Sequence, residues 1–302
     1  MKRHPGVPPT IDSLPPRASA TGPFARAPFL RAVTALTGES VSTVTDGQSA
    51  VVVSELDGEL RFAGDADLTD YHCPLGSEIK PVVAHLVDQT PSGTRLRFDS
   101  LPAEAAHELA DGLAAADLDV ECTQHAVTAV VDISAGYEAY LDAIGKKQRH
   151  EVRRKRRRYT DEVGELIHEV HTTPSWALEE FFRLHRLSDG AKGEFMTPPR
   201  EAFFRSLIAQ DGWRLDVLRM PDAQRATACL FSYVDSEGVY VYNSSYDPGL
   251  RDASPGVAIV GSMIEQACRE TIPRFDFLKG DEVYKFRLGA EPRPLYEVTA
   301  VA

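Results

Sequence analysis

The chain has 302 residues, 43% of them hydrophobic and 26% charged, which is the composition of an ordinary soluble globular protein. Its formal net charge of -12 at pH 7 argues against general nucleic-acid binding, because the long-range field repels phosphate. No apolar run approaches the ~20 residues of a membrane span, and no apolar core follows the basic N-terminus, as a secretory signal would require. We therefore expect a cytoplasmic protein that does not enter a membrane, and the length favours two domains.

The first half of the chain mixes strands with one helix. Residues 1–22 are rich in proline and poor in apolar side chains, so they are predicted to form a disordered or extended tail ahead of a first domain at residues 23–132. Asp57-Gly58 separates two alternating runs and predicts a tight hairpin. The predicted strands are residues 50–56, 59–63, 82–87, 95–99 and 127–133, and the predicted helix is 102–116.

The second half, residues 133–302, alternates strands with helices and includes one basic helix after Gly145. Between two of these helices, residues 189–194 contain two glycines and are predicted to form either a mobile lid over a binding site or a flexible linker. Because each half is a sheet with helices, the element order predicts an α/β fold with a repeated architecture. The other predicted helices are 137–144, 176–187, 199–208 and 257–270, and the strands are 166–170, 213–219, 226–234, 239–246, 274–278 and 295–301.

The segment from Lys146 to Arg158 is densely basic, in contrast to the acidic whole. Val152, Tyr159 and Val163 recur within and after it at helical spacing. Two interpretations stay open. The segment is either a solvated helix that pairs with the acidic remainder, or a docking surface for phosphate on a nucleotide-bearing cofactor or on RNA.

Residues 239–289 are the most informative stretch. Ser254 is predicted to cap a helix whose first position is Pro255, and Gly256 leaves the approach to that helix open. A row of free backbone N–H groups after a strand can hold a pyrophosphate. The alternative is an ordinary capped helix in an α/β layer. The segment bearing Lys285 and Arg287 follows at once, and this favours the phosphate site.

Several motifs together carry a family resemblance. They are Lys147-x-Arg149 through Arg157, Phe181-x-x-x-His185, Tyr240-x-Tyr242-Asn243-Ser244-x-Tyr246, Ser254-Pro255-Gly256 and Asp276-Phe277-Leu278-x-Gly280-x-Glu282-x-Tyr284-Lys285. With these, residues 130–302 resemble the GNAT superfamily, and more closely its CelD/BcsL-type acyltransferases, which are related to FemAB-type transferases. The usual glycine-rich acyl-CoA loop is reduced to Ser254-Pro255-Gly256. The first half is similar to the same family's degenerate N-terminal half, so the resemblance implies two GNAT-like halves in tandem.

The resemblance implies transfer of an acyl group from acyl-CoA, most simply acetyl-CoA, to an amine or hydroxyl of a small-molecule or polysaccharide-precursor acceptor. It also implies residue roles. Tyr284 is the implied general acid, and Asp276 and Glu282 are the implied proton acceptors. The implied cofactor-binding residues are Tyr242, Asn243, Ser244, Ser254, Pro255, Gly256, Val257, Lys285 and Arg287, and the implied acceptor-binding residues are His185, Asp189 and Tyr246.

Each implied role has a structural alternative. Asp276 would cap a turn, Tyr284 would be a half-buried anchor, Glu282 would only pair with Lys285, and His185 would be a satisfied core histidine. No metal is expected, because Cys73, Cys122, Cys229 and Cys268 are widely separated and no His-Glu-x-x-His helix is present.

Three functions therefore stay open: an acyl-CoA-dependent transferase, a FemAB-like aminoacyl-tRNA-dependent transferase that uses residues 146–158, and a non-catalytic binding module. The acceptor, the acyl length and the oligomeric state do not follow from the sequence.

Overall fold

A computed structural model describes residues 1–64 and 67–302 of the chain. These residues form two compact units, one of residues 1–128 and 292–302 and the other of residues 129–291. No helix in the described residues has both the length and the apolarity needed to cross a bilayer.

The elements alternate along both units. The strands are β1 (Lys2–Pro5), β2 (Val41–Thr45), β3 (Ser49–Leu56), β4 (Glu59–Phe62), β5 (Leu75–Gly76), β6 (Arg95–Pro102), β7 (Glu121–Asp132), β8 (Ile167–His171), β9 (Trp213–Arg219), β10 (Ala226–Val234), β11 (Val239–Tyr246), β12 (Arg274–Lys279) and β13 (Glu291–Val301). The α-helices are α1 (Ala27–Thr37), α2 (Lys80–Asp88), α3 (Ala103–Ala114), α4 (Tyr137–Ala143), α5 (Gly145–Val163), α6 (Trp176–Arg186), α7 (Ala191–Phe195), α8 (Pro198–Ile208), α9 (Pro255–Arg269) and α10 (Val283–Arg287). Short 3₁₀ helices occupy Pro9–Ile11 and Pro248–Ala253.

The first unit is a mixed sheet with strand order β1-β2-β3-β4-β6-β13, in which β4 and β6 run parallel and the other neighbours in this order run antiparallel. Its predicted hairpin is confirmed. Asp57 and Gly58 have φ angles of 53° and 77°, the left-handed values that a two-residue turn between β3 and β4 needs. Inward-facing residues of the strands and of α2 and α3 form one apolar core.

Two expectations for the first unit are wrong. Residues 1–22 are not a free tail, because β1 pairs with β2, Ile11 is fully buried, and Arg17 makes a 2.7 Å ion pair with Glu108. Residues 82–87 are not a strand but part of α2. Their apolar run suggested β structure, yet Val82 and Leu86, four residues apart, are both buried on one helix face.

The second unit has strand order β8-β9-β10-β11-β12, antiparallel up to β11 and parallel between β11 and β12. Helix α9 packs one buried face on this sheet and contributes Ile259, Met263 and Ile264 to the core. Residues 295–301 do not close this sheet as expected. They pair antiparallel with β6 in the first unit. The predicted lid at residues 189–194 is also partly helical, since α7 begins at Ala191.

Candidate active site

A cavity of about 450 Å³ opens where β11 and β12 separate. The two strands pair at Val239 with Phe275 and at Tyr240 with Asp276, and the next residues along each strand, Val241 and Phe277, both line the cavity. A register shift also falls here, because Phe231 of β10 pairs with Asn243 while Ser232 pairs with Val241. Tyr242 is therefore an extra residue that bends β11 away from its neighbour.

The start of helix α9 borders this cavity. Ser254 adopts a left-handed conformation with φ of 58°, and its side chain does not cap the helix as expected. Its carbonyl oxygen instead accepts the N–H groups of Val257 and Ala258, both at 3.1 Å. Pro255 has no N–H, so the expected row of free donors is reduced. The Gly256 N–H lies at the cavity wall and has no hydrogen-bond acceptor among the described residues.

Gly256 also leaves the approach to this N–H open. A Cβ at this position would meet only Tyr246 Cδ1, at 3.7 Å. Arg251, in the loop before the helix, lines the same cavity and is exposed. A helix start with a free N–H and a nearby guanidinium can hold an anion.

Two of the predicted catalytic residues reach the cavity, and both come from the segment that follows β12. The Tyr284 ring packs edge-on against Phe277, with ring centroids 6.0 Å apart, and its side chain is 48% exposed. Partial burial, with a smaller contribution from the Glu282 carboxylate, raises the pKa of the Tyr284 hydroxyl to about 12. The phenol is therefore protonated at neutral pH and can donate a hydrogen bond.

Glu282 lines the cavity and carries a negative charge at neutral pH. Its partial burial works against ionisation, but the hydrogen bond from Lys285 outweighs that effect and holds the pKa of Glu282 below its ordinary value. The carboxylate accepts from Lys285 Nζ at 2.9 Å. Glu282 therefore supplies a fixed negative charge beside Tyr284.

Lys285 and Asp276 are structural instead of ligand-binding or catalytic. Lys285 is 3% exposed, and its Nζ donates to the carbonyl oxygens of Leu278 and Lys279. Asp276 is fully buried and accepts the Leu278 N–H at 2.7 Å. Both side chains hold the turn that ends β12, where Leu278 has a φ of 62°. Lys285 therefore does not have the expected phosphate contact, and Asp276 hydrogen-bonds a turn instead of accepting a proton from the substrate.

His185 belongs to a buried polar pair away from the cavity wall. It is 1% exposed, and its Nε2 lies 2.6 Å from Asn243 Oδ1. Burial lowers the pKa of His185 to about 4, so the ring is neutral at pH 7. Its expected role in acceptor binding is not supported. The expected acceptor residue Asp189 likewise lies outside the cavity lining, in the exposed stretch before α7.

Of the other predicted cofactor residues, the side chains of Tyr242 and Asn243 do not line the cavity. Asn243 contacts His185, and Tyr242 packs among aromatic rings that include Trp213, at 5.4 Å between centroids. These two residues can serve a ligand only through the backbone edge of β11. The predicted residues that do line the cavity are Ser244, Tyr246, Ser254, Pro255, Gly256 and Val257.

A second cavity, of about 930 Å³, lies between the first half of α5, the start of α9 and α10. Its lining contains five lysines and arginines and one carboxylate, that of Glu151. Val257, Tyr284 and Leu288 line both cavities, so the two spaces meet at Tyr284. Arg287 faces this second cavity, which we call the basic pocket. The cations in its wall are Lys146, Lys147, Arg154, Lys155 and Arg287.

Residues 146–286 match the family model of the acetyltransferase (GNAT) domain, a match that contains the strands β8–β12 and most of α5 and α10. We call this segment, which is similar to acetyltransferase (GNAT) domains, the GNAT domain. No curated protein matches the chain.

Solved structures share the fold at low sequence identity. A conserved protein of unknown function from Bacteroides thetaiotaomicron aligns with a TM-score of 0.66 and 12% identity over 97% of this chain and 96% of its own. FemX aligns with a TM-score of 0.63 and 11% identity over 98% of this chain and 97% of its own. L-PGS from Bacillus licheniformis aligns with a TM-score of 0.61 and 14% identity over 89% of this chain and 86% of its own. At these identities the comparison establishes the fold alone.

Sequence reasoning missed two cations of the GNAT domain that line the first cavity. Arg251 stands five residues before Gly256 in the loop that enters α9, a position that could have indicated an anion contact. Lys192 comes from α7, and its ammonium lies 5.8 Å from the centroid of the Tyr246 ring. Lys192 lies in the stretch predicted as a lid, and the packing of α7 on α6 brings it to the cavity. Among the described residues, no three His, Cys, Asp or Glu side chains converge as a metal site.

Proposed function

We propose that the GNAT domain transfers an acyl group from acyl-CoA, most simply acetyl-CoA, to an amine or hydroxyl of a small-molecule or polysaccharide-precursor acceptor. The observation that carries this proposal is the opening between β11 and β12, which leads to the free Gly256 N–H. The narrower resemblance to CelD/BcsL-type acyltransferases is part of the same proposal and rests on the sequence motifs.

The cavity residues fit an acyl-CoA in three ways. The edge of β11 beyond Tyr240 can pair with the amides of an extended pantetheine arm, as an added strand would. The Gly256 N–H and Arg251 would hold the pyrophosphate. Val241 and Phe277 supply apolar walls for the thioester end.

Tyr284 and Glu282 would assist the transfer. The acceptor nitrogen or oxygen attacks the thioester carbonyl carbon, the carbon–sulfur bond breaks, and the proton of the nucleophile leaves through water beside the Glu282 carboxylate. Tyr284 donates a hydrogen bond to the departing sulfur. A thiol is a stronger acid than a phenol whose pKa is about 12, so Tyr284 stabilises the thiolate mainly by this bond.

Thermal unfolding with acetyl-CoA and with acyl-CoA species of graded length tests the donor. At a ligand concentration 100 times the dissociation constant, binding to the folded state adds about 2.7 kcal/mol of stability, which raises the melting temperature by several degrees. Absence of a shift with every species would contradict the proposal and favour a non-catalytic binding module.

A second candidate function uses aminoacyl-tRNA as the donor, in the manner of FemAB-type transferases, and the cations of the basic pocket favour it. A tRNA-dependent enzyme loses activity on ribonuclease treatment and depends steeply on salt. An acyl-CoA-dependent enzyme resists ribonuclease, so the two donors are separable in one assay.

A further inference from the structure

The basic pocket differs in charge from the rest of the protein. The chain carries a net charge of -12, yet five lysines and arginines line this one cavity. Glu151 is partly neutralised already, because it pairs with Arg154 at 2.7 Å and with Lys155 at 3.8 Å. Lys146, Lys147 and Arg287 form no ion pair with any described residue and are exposed to solvent. Unpaired cations around a concave surface attract a multiply charged anion.

The pyrophosphate of the proposed donor does not require these cations. Its pyrophosphate already has an anchor at the Gly256 N–H and Arg251, and both of these line the first cavity and not the basic pocket. A transferase that works by direct attack also needs a second substrate site that opens on the reacting bond. The basic pocket has the volume of a small-molecule site, about 930 Å³, and it meets the first cavity at Tyr284.

We propose that the basic pocket is the acceptor site and that the acceptor is a small molecule carrying at least two phosphate charges. The inference rests on the proposed function, because it takes the first cavity as the donor site. Lys146, Lys147 and Arg287 bind the phosphates, since lysine ammonium groups and arginine guanidinium groups are the common protein ligands of phosphate. The nucleophile of the acceptor then points past Tyr284 toward the thioester.

Calorimetric titration of the CoA-saturated protein with inorganic pyrophosphate tests this assignment. Saturating CoA fills the donor's own phosphate anchor, so that the remaining binding reports the basic pocket. The pocket variant is Lys146→Glu/Lys147→Glu. The matched control is Arg153→Glu/Arg157→Glu, which makes the same charge change on the same helix at exposed arginines outside the pocket lining. We expect pyrophosphate affinity to fall at least tenfold in the pocket variant and less than twofold in the control.

Three results would overturn the acceptor site. In the first, the CoA-loaded protein does not bind pyrophosphate. In the second, adenosine 3′,5′-bisphosphate, the nucleotide end of CoA, displaces pyrophosphate from the free protein and CoA excludes it, so that the pocket belongs to the donor. In the third, both variants weaken binding equally, as an extended surface for RNA requires.

The proposed function fails separately. If the wild-type protein binds no CoA, the donor assignment is wrong. Pyrophosphate binding to the free protein that is lost only in Lys146→Glu/Lys147→Glu would then still support a phosphate site in the basic pocket.

Discussion

The Lys285 ammonium donates a hydrogen bond to the carbonyl oxygen of Lys279 at 2.6 Å. The same nitrogen reaches the carbonyl of Leu278 and the carboxylate of Glu282, at 3.3 Å and 2.9 Å. A buried cation thus fastens the end of β12 to helix α10. Tyr284 precedes Lys285 on that helix and is directed outward to the two cavities.

Replacing this cation should destabilise the protein. Lys285→Met leaves buried carbonyl groups without a donor, and we expect the free energy of unfolding to fall by roughly 2–4 kcal/mol. Arg287→Met, two residues away at an exposed position, should change it by less than about 0.5 kcal/mol. Urea unfolding of both variants measures the difference. Equal stabilities would show that Lys285 is not the fastening group.

Two glycines of α9 separate ligand binding from helix stability. Gly256→Ala and Gly261→Ala each add a methyl group where the nearest atoms lie at ordinary contact distance, 3.7 Å in both cases. Each should raise stability by up to about 1 kcal/mol, because alanine favours the helix. Only Gly256 faces the first cavity, so only Gly256→Ala should weaken CoA binding, by about tenfold or more. Calorimetry with CoA checks this, and equal affinities would argue against a phosphate anchor at α9.

Local signals in the sequence were sufficient for much of this architecture. Asp57-Gly58 indicated a hairpin through its turn chemistry, and the strand followed by Ser254-Pro255-Gly256 correctly marked the start of α9 beside a cavity. In both cases neighbours in the chain decide the conformation. The resemblance to GNAT enzymes likewise pointed to the segment that matches the acetyltransferase domain.

Burial and hydrogen bonding in the folded protein decided the rest. Lysine is a common phosphate ligand, but the ammonium group of Lys285 donates its hydrogen bonds to carbonyl oxygens at the end of β12. Asp276 had two predicted roles, proton acceptor or turn cap, and the structure has the second, because its carboxylate accepts the Leu278 N–H. Ile11 lies in a proline-rich stretch whose composition predicts disorder, yet it is part of the hydrophobic core of the first unit. A single sequence does not show which side chains the fold buries against one another.

The pH dependence of stability should contain a contribution from His185. Burial lowers the pKa of His185 to about 4 in the folded protein, whereas the imidazole of the unfolded chain has its ordinary pKa of 6.5. Between these two pH values the unfolded chain binds a proton at His185 and the folded protein does not. The free energy of unfolding therefore falls as the pH drops from about 6.5 toward 4. The full difference between these pKa values corresponds to about 3 kcal/mol.

Unfolding measured at pH 7.5 and pH 5.0 tests this linkage. His185→Gln should reduce the loss of stability between the two pH values, whatever its effect on stability at pH 7.5. His150→Gln, at an exposed position on α5, should keep the wild-type difference. If His185→Gln also kept it, another group would be responsible for the acid sensitivity.

Tyr284→Phe should separate chemistry from binding. The phenylalanine ring can keep the edge-on contact with Phe277 at 6.0 Å, so the fold and the affinity for the acyl-CoA should change little. The hydrogen bond to the departing sulfur is lost, and we expect kcat to fall roughly 10²-fold, the range for removal of one donor in a site of this kind.

Release of free CoA thiol from acetyl-CoA, in the presence of a panel of phosphorylated amines, gives the rate. The control is Val283→Ala, which changes an exposed neighbour on α10 outside both cavity linings and should keep the wild-type rate. A Tyr284→Phe enzyme with unchanged kcat would remove Tyr284 from the mechanism. The donor and acceptor assignments would stand in that case, because each has its own binding measurement.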